Sequence, residues 1–184
     1  MTYYDLCRTP IGWCGVVSSQ AAVQRIFLAE PDSKSLLASI LRQFPGCCAD
    51  AVACRDAVEF LSQYFQAGAV ARPTAARDAG PATAFQRRVW DVTALIPFGQ
   101  VRTYAWIAGQ LGCRAAARAV GAALGCNPLP LIVPCHRVVC SNGNPGGFSA
   151  TGGSALKRFL LEHEGVVFDA HGRIVSVYGC NVEH

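Results

Sequence analysis

The 184-residue sequence predicts two units of different class. Residues 1–80 read as an α/β domain, a small antiparallel sheet with helices, followed by its linker; residues 81–184 read as a mostly α-helical domain built on a helix-turn-helix. Three observations predict this. Strand-length apolar runs separated by turn residues crowd into the N-terminal stretch. Segments of helical period, with a polar cap before them and a glycine after, make up much of the rest. A stretch of small residues punctuated by Gly68, Pro73, Gly80 and Pro81 separates the two halves.

Tyr3 to Arg8 is expected as a strand, Pro10-Ile11-Gly12 as a turn, and Trp13 to Ser18 as its hairpin partner. Val23 to Leu28 continues as a third strand. Asp32 or Ser33 can then cap a helix carrying Leu36, Leu37, Ile40 and Leu41, ended by Gly46. A second helix fits Ala51 to Gln66, with Val52, Ala57, Phe60, Leu61 and Tyr64 apolar and Gly68 as its stop. In the second half, Thr83 caps a helix whose buried stripe is Phe85, Val89, Val92 and Ile96, with Gln86, Arg87 and Asp91 facing water and Pro97-Phe98-Gly99 as a stop. Thr103 is a natural cap for Tyr104 to Leu111, closed by Gly112. After a tight turn, Arg114 to Leu124 forms the next helix, ended by Gly125 and Asn127-Pro128. Two short helices joined by a glycine-containing turn make a helix-turn-helix candidate. The Gly-, Asn- and Pro-rich stretch from Cys140 to Gly153 is a loop; it matches neither a P-loop nor a dinucleotide fingerprint. Ser154 is expected to cap a helix through Glu164, with Leu156, Phe159, Leu160 and His163 inward and Gly165 closing it. Val166 to Val177 reads as a closing hairpin that turns at His171-Gly172.

An apolar content of 52% against 15% charged residues excludes a disordered chain. No apolar run has the length of a membrane span, and Met1 to Arg8 shows no signal-peptide core. The expected location is therefore the cytoplasm, or the nucleus in a eukaryote. Ten cysteines without a secretion signal or a Cys-x-x-Cys pair are expected to be mostly reduced core residues, with no metal site. Charge is uneven. Residues 1–80 are neutral, with seven Lys/Arg against seven Asp/Glu. Residues 85–160 hold Arg87, Arg88, Arg102, Arg114, Arg118, Arg137, Lys157 and Arg158 against Asp91 alone, a balance of +7. A basic half beside a neutral one is the footprint of a polyanion partner, or a solvated basic face. The helix Ala115 to Gly125 carries small side chains with Arg118 as its one long one, which lets it lie close to a neighbouring helix or a DNA groove.

Val133-Pro134-Cys135-His136-Arg137-Val138 carries the chemistry. Proline stiffens the approach to Cys135, and an adjacent imidazole and guanidinium can raise the thiolate fraction of its thiol. The alternative reading is a buried cysteine packed as a small hydrophobe.

Pro134-Cys135-His136-Arg137-Val138 resembles the active-site signature of the O6-alkylguanine-DNA alkyltransferases, also called methylated-DNA–protein-cysteine methyltransferases. The similarity runs from about Phe85 to Gly165 and includes Val89-Trp90, Ile96 to Gly99, Thr103-Tyr104, Ile107-Ala108, Ala117 to Gly121, Asn127-Pro128, and Lys157 with Leu160-Leu161 and Glu164. Thr9 to Gly12 is a looser likeness. The resemblance implies single-turnover transfer of an alkyl group from O6-alkylguanine in double-stranded DNA to Cys135, with O4-alkylthymine as an open second substrate. It implies no cofactor, no membrane and no obligate protein partner. His136 is then the general base acting through a water, Glu164 its orienter, and Asn127 the residue that orders the turn before the cysteine strand. Tyr104 acts at the phosphate beside the flipped nucleotide, and its hydroxyl can supply the proton that the leaving guanine needs. Arg118 fills the gap left in the base stack. Thr103, Ala117, Ala119, Gly121 and Arg137 face DNA, entered through the minor groove, and Val138, Phe148, Ser149 and Lys157 surround the guanine pocket. Phe148 stands where many relatives carry tyrosine, and Ala150-Thr151 looks like an insertion. The rival readings are a non-enzymatic alkyltransferase-like protein that binds damage, whose members replace the cysteine kept here, and a Cys-His-Glu hydrolase.

Overall fold

The structure, a computed structural model, describes residues 1–19, 22–67 and 76–176. It comprises two compact units: Met1–Pro81 together with Pro128–Pro130, and Ala82–Asn127 together with the chain from Leu131 onward.

In the first unit β1 (Thr2–Thr9), β2 (Gly12–Ser19) and β3 (Ala22–Glu30) form an antiparallel meander, with Cys7 opposite Cys14 and Val16 opposite Ile26. α1 (Ser33–Gln43) is capped by Asp32, whose carboxylate accepts from the Lys34 and Ser35 amides at 2.9 Å each. Leu36 and Ile40 are its buried pair, and they pack with Val17, Phe27 and Cys47. Gly15 makes that packing feasible: a Cβ there would lie 2.9 Å from the Ile40 δ-methyl. Leu41, expected on the inner face, is exposed, because it follows Ile40 by about 100° of helical rotation. α2 (Ala51–Ala67) starts on the Asp50 carboxylate, which accepts from the Val52 and Ala53 amides. Its buried face is Cys54, Ala57, Phe60, Leu61 and Tyr64. Val52, in the first turn and off this face, is exposed.

The sheet is mixed, not purely antiparallel. β4 (Cys48–Ala49) pairs parallel with β1 and β5 (Ala76–Arg77) pairs parallel with β3, giving the order β4-β1-β2-β3-β5. Two-residue strands are too short to show the alternation by which strands are recognised. β5 falls in the expected linker; of that stretch residues 68–75, with Gly68 and Pro73, lie outside the described residues. The Ile26 amide donates to the Pro128 carbonyl at 2.9 Å, which ties the short Pro128–Pro130 excursion to β3.

In the second unit α3 (Ala84–Ala94) begins with a capping box: the Gln86 amide donates to the Thr83 hydroxyl at 3.2 Å, and the Thr83 amide donates to the Gln86 side chain at 2.8 Å. Gln86 therefore caps as well as facing outward. Trp90 donates its indole N–H to the Ala123 carbonyl at 2.9 Å. β6 (Arg102–Thr103) leads into α4 (Tyr104–Gln110), capped by Thr103. The expected helix from Arg114 divides into a 3-10 turn, Arg114–Ala116, and α5 (Ala117–Gly125). β7 (Val138–Val139) pairs parallel with β6. α6 (Gly153–His163) is preceded by Gly152 in left-handed conformation, and no side chain caps it, so Ser154 does not have the role its type suggested. Phe159 lies outward, stacked on His163 one turn later with an interplanar angle of 5°. β8 (Val167–Phe168) and β9 (Ile174–Ser176) form the expected closing hairpin, with Val177 outside the described residues. Gly112 and Gly165 close α4 and α6 at φ 74° and 84°. Val101, Val139, Leu161, Val166 and Ile174 form one core cluster of this unit.

Among the described residues no helix is long and apolar enough to cross a membrane. The described cysteines are free thiols, but Cys48, Cys113 and Cys126 are exposed, so fewer belong to the core than composition suggested. Cys180 lies outside the described residues.

Candidate active site

Cys135 opens a 3-10 turn, Cys135–Arg137, entered from Pro134. The Cys135 amide donates to the Val133 carbonyl at 2.7 Å and the Arg137 amide to the Pro134 carbonyl at 2.9 Å, so the cysteine backbone is held on both sides. The Asn127 side-chain amide bridges two acceptors, the Val133 carbonyl at 2.9 Å and the Cys135 Sγ at 3.1 Å. One planar group thus fixes both the turn and the sulfur. Burial pushes the Cys135 thiol pKa up; the Asn127 hydrogen bond and the Lys157 charge oppose that rise. The resting thiol consequently needs a base.

The base candidate is adjacent. His136 is fully buried, and its Nε2 lies 2.7 Å from Glu164 Oε1. Burial holds the imidazole below its ordinary pKa, so at neutral pH it is an uncharged acceptor. Glu164, at the end of α6, is also buried. Arg137 Nε donates to its Oε2 at 2.8 Å, Arg137 Nη2 to its Oε1 at 2.9 Å, and the Gly99 amide to its Oε2 at 3.0 Å. Burial pushes this carboxyl up, but His136 and Arg137 together pull it well below the ordinary carboxylate range. It is an anion with both oxygens satisfied.

Arg137, assigned to DNA from the sequence, is not at the surface. Its third contact is Nη1 to the Ile96 carbonyl at 2.7 Å, and Phe98 packs on its guanidinium. A buried guanidinium with these partners balances Glu164 and is unavailable to a phosphate. Lys157, another of the cations counted above, is fully buried too. The basic balance of this half therefore overstates its outward charge. Gly99 was read only as part of a helix stop; its amide contact with Glu164 has no sequence signal beyond the Pro-x-Gly turn.

A cavity of about 410 Å³ opens onto Cys135 and is lined also by Tyr104, Gly121, Leu124, Gly125, Gly147, Phe148 and Ser149. Phe148 and Ser149 are among its lining residues. Val138 and Lys157 stand behind the wall: Lys157 Nζ donates to the Val138 carbonyl at 2.7 Å, the Gly147 carbonyl at 3.3 Å and the Tyr104 hydroxyl at 3.5 Å. Burial brings this lysine down to about 8. Burial, with the nearby Cys140 and Cys135 thiols, pushes the Tyr104 phenol up to about 12, so it keeps its proton. Since its oxygen accepts from Lys157, that proton points elsewhere. Leu124 and Gly125 were missed as lining residues; nothing in their residue type marks them. Ala150-Thr151 precedes α6 and is not part of the lining, where Phe148 is. On α5, Arg118 and Ala119 are exposed, and Ala117 and Gly121 half-buried. The Thr103 hydroxyl accepts from the Trp106 amide at 3.0 Å, so its observed role is the α4 cap.

Residues 84–166 match the family model described as the DNA-binding domain of 6-O-methylguanine DNA methyltransferase. The methylated-DNA–protein-cysteine methyltransferase of Salmonella typhimurium is 49% identical over 105 residues, 57% of this chain and 60% of that protein. Its counterpart in Mycobacterium tuberculosis is 51% identical over 82 residues, 45% of this chain and 48% of that protein. The chain thus aligns over about half to three fifths of the length of these curated relatives. The crystal structure of Mycobacterium tuberculosis O6-methylguanine methyltransferase extends the likeness. It is 34% identical, covers 89% of this chain and 93% of its own, and superposes with a TM-score of 0.73. The chain belongs to the O6-alkylguanine-DNA alkyltransferase family. A DNA complex of the mycobacterial protein is similarly close, 36% identical over 88% of this chain and 92% of its own, TM-score 0.73. As a member of the alkyltransferase family this chain keeps the signature cysteine, and the mixed sheet followed by a helical part agrees with the whole-chain superposition.

Proposed function

We propose that this chain repairs DNA by direct transfer of an alkyl group from O6-alkylguanine to Cys135, once per molecule. One observation carries the reading: the Cys135 thiol opens on a cavity of about 410 Å³, beside a neutral histidine that is paired with a buried carboxylate. Glu164 occupies Nε2 of His136, so Nδ1 takes the thiol proton, through a water, and the carboxylate stabilises the imidazolium that forms. The thiolate attacks the alkyl carbon in line. The S–C bond forms, the O6–C bond breaks, and guanine leaves with the electron pair. Tyr104, still protonated at neutral pH, gives the departing base a hydrogen bond or a proton. The product thioether does not hydrolyse readily, and no group of the site regenerates the thiol.

The target carbon is inside the duplex, so the nucleotide must leave the stack, at a cost of a few kcal/mol. α5 is the helix for this. Its small residues Ala117, Ala119 and Gly121 allow close approach to the minor groove, and exposed Arg118 fills the vacated space. The partner is then double-stranded DNA read without base specificity, in the cytoplasm or, in a eukaryote, the nucleus.

Mixing the protein with excess duplex containing O6-methylguanine tests this: methyl transfer is expected to stop at one methyl per chain, whereas continued turnover or no transfer contradicts it. Arg118→Ala is expected to slow repair of the duplex by roughly tenfold or more, as loss of a residue that offsets a few kcal/mol of flipping implies. It should leave the reaction with free O6-benzylguanine, which needs no flipping, unaffected. Equal losses on both substrates would remove Arg118 from that role.

A further inference from the structure

Between Asn127 and Cys135 the chain adopts a conformation that its residue types do not favour. Leu131 has φ 71°, in the left-handed region, and among the described residues only Ala29 shares this with it outside the glycines. For a bulky side chain that region is sterically unfavourable, and it persists only where the surroundings impose it. Here they do. Leu131 is 2% exposed, and Leu129, Ile132 and Val133 beside it are buried as well. Pro128, Pro130 and Pro134 each fix their own φ, which leaves few torsions to absorb a relaxation. The Pro128 carbonyl is in addition held by the Ile26 amide at 2.9 Å.

Leu131 and Ile132 form a turn between Pro130 and Val133. The carbonyl that follows this turn, on Val133, accepts from the Cys135 amide at 2.7 Å and from the Asn127 side chain at 2.9 Å. The same Asn127 amide reaches the Cys135 Sγ at 3.1 Å. Relaxation of Leu131 to negative φ would rotate the chain entering Val133, and with it the oxygen that both groups share. The place of the sulfur is therefore tied, through one carbonyl, to the backbone hand of one upstream residue.

We infer that Leu131 is a positioning residue of the alkyl transfer: its left-handed backbone sets the Val133 carbonyl, which through Asn127 aims the Cys135 sulfur, and its buried side chain holds that backbone in place. This rests on the alkyl transfer proposed above. Leu131 does not line the cavity, so it acts only through these bonds.

The experiment uses full-length protein and a duplex containing O6-methylguanine, mixed in single turnover at saturating protein; the methyl accepted at the end point gives the competent fraction of each preparation. Leu131→Ala keeps a Cβ but loses the packing that enforces positive φ. Leu131→Gly loses at least as much side chain and adopts that φ without strain. Leu131→Ala is expected to lower the limiting rate per competent molecule by roughly tenfold or more, within what a small misplacement of a reacting group costs, with duplex affinity unchanged. Leu131→Gly is expected to react faster than Leu131→Ala. In an Asn127→Ala chain, adding Leu131→Ala is expected to cost about threefold or less, since its route to the sulfur is already cut. A glycine variant no faster than the alanine one overturns the inference, because packing alone would then account for the loss. So do an unchanged limiting rate, a loss confined to duplex affinity, or equal losses with and without Asn127. A wild-type chain that transfers no methyl overturns the underlying alkyl-transfer reading instead, and this one with it.

Discussion

Cys135→Ala is expected to abolish methyl transfer while leaving binding to a methylated duplex intact. The substitution removes only the sulfur. Asn127 keeps its bond to the Val133 carbonyl, and the turn keeps its backbone hydrogen bonds. The exposed residues of α5 are untouched. No other described cysteine offers the same arrangement. Burial pushes the Cys7 and Cys54 thiols up to about 12 and about 11, so neither is a nucleophile at neutral pH. Cys48, Cys113 and Cys126 are exposed, away from the cavity lining. Gel-shift titration and transfer of labelled methyl, done on the same preparation, check both halves. Residual transfer near the wild-type rate would move the acceptor elsewhere.

Glu164→Gln is expected to damage folding and chemistry together. Glu164 alone satisfies two donors of Arg137, the ring of His136 and the Gly99 amide. Making it neutral leaves a buried guanidinium without its counter-charge, and breaking a buried pair in this way costs about 3–5 kcal/mol. It also removes the charge that stabilises the protonated His136, so the transfer rate is expected to fall roughly 10²–10⁴-fold, the usual worth of general acid–base catalysis. The pH dependence follows from the sign of the shift. The folded-state carboxyl titrates below its ordinary value of 4.5. Its stabilising contribution is therefore complete above that value and is lost as pH falls through the depressed folded pKa. His136 adds to acid sensitivity. Its folded pKa lies below the ordinary 6.5, so the unfolded chain takes up the proton first and stability declines as pH drops below 6.5. Denaturant midpoints measured from pH 7 to pH 3 should fall steeply for the wild type and less so for Glu164→Gln. Parallel curves would mean that the carboxylate is not the linked group.

The parts of this molecule that were legible in its sequence are those decided locally. Thr83 with Gln86, Asp32, and Gly112 and Gly165 marked helix ends because caps are built from residues a few positions apart. The meander β1–β3 was legible because its apolar runs are of strand length and its first turn carries Pro10 and Gly12. What was not legible depends on partners distant in the chain. β4 and β5 exist only because β1 and β3 offer them an edge. Arg137 reads as a basic surface residue until Glu164 and the Ile96 carbonyl are placed around it. Lys157 likewise counts as positive charge in composition, whereas its ammonium is spent on the carbonyls of Val138 and Gly147. The site divides the same way. Cys135 and His136 were named from their pattern, Glu164 and Asn127 only through the resemblance to the family, and the structure places Asn127 against Cys135 and Glu164 against His136. Leu124 and Gly125 carry no chemistry of their own, and only the fold brings them to the cavity beside Cys135.

The account stands or falls on where the alkyl group goes. The protein should be mixed with one equivalent of duplex containing O6-methylguanine, digested, and its cysteine peptides weighed. The prediction is a single added methyl on the peptide containing Cys135, with unmodified guanine left in the DNA. Methyl on any other cysteine peptide, or unmodified protein beside intact methylguanine, would contradict it.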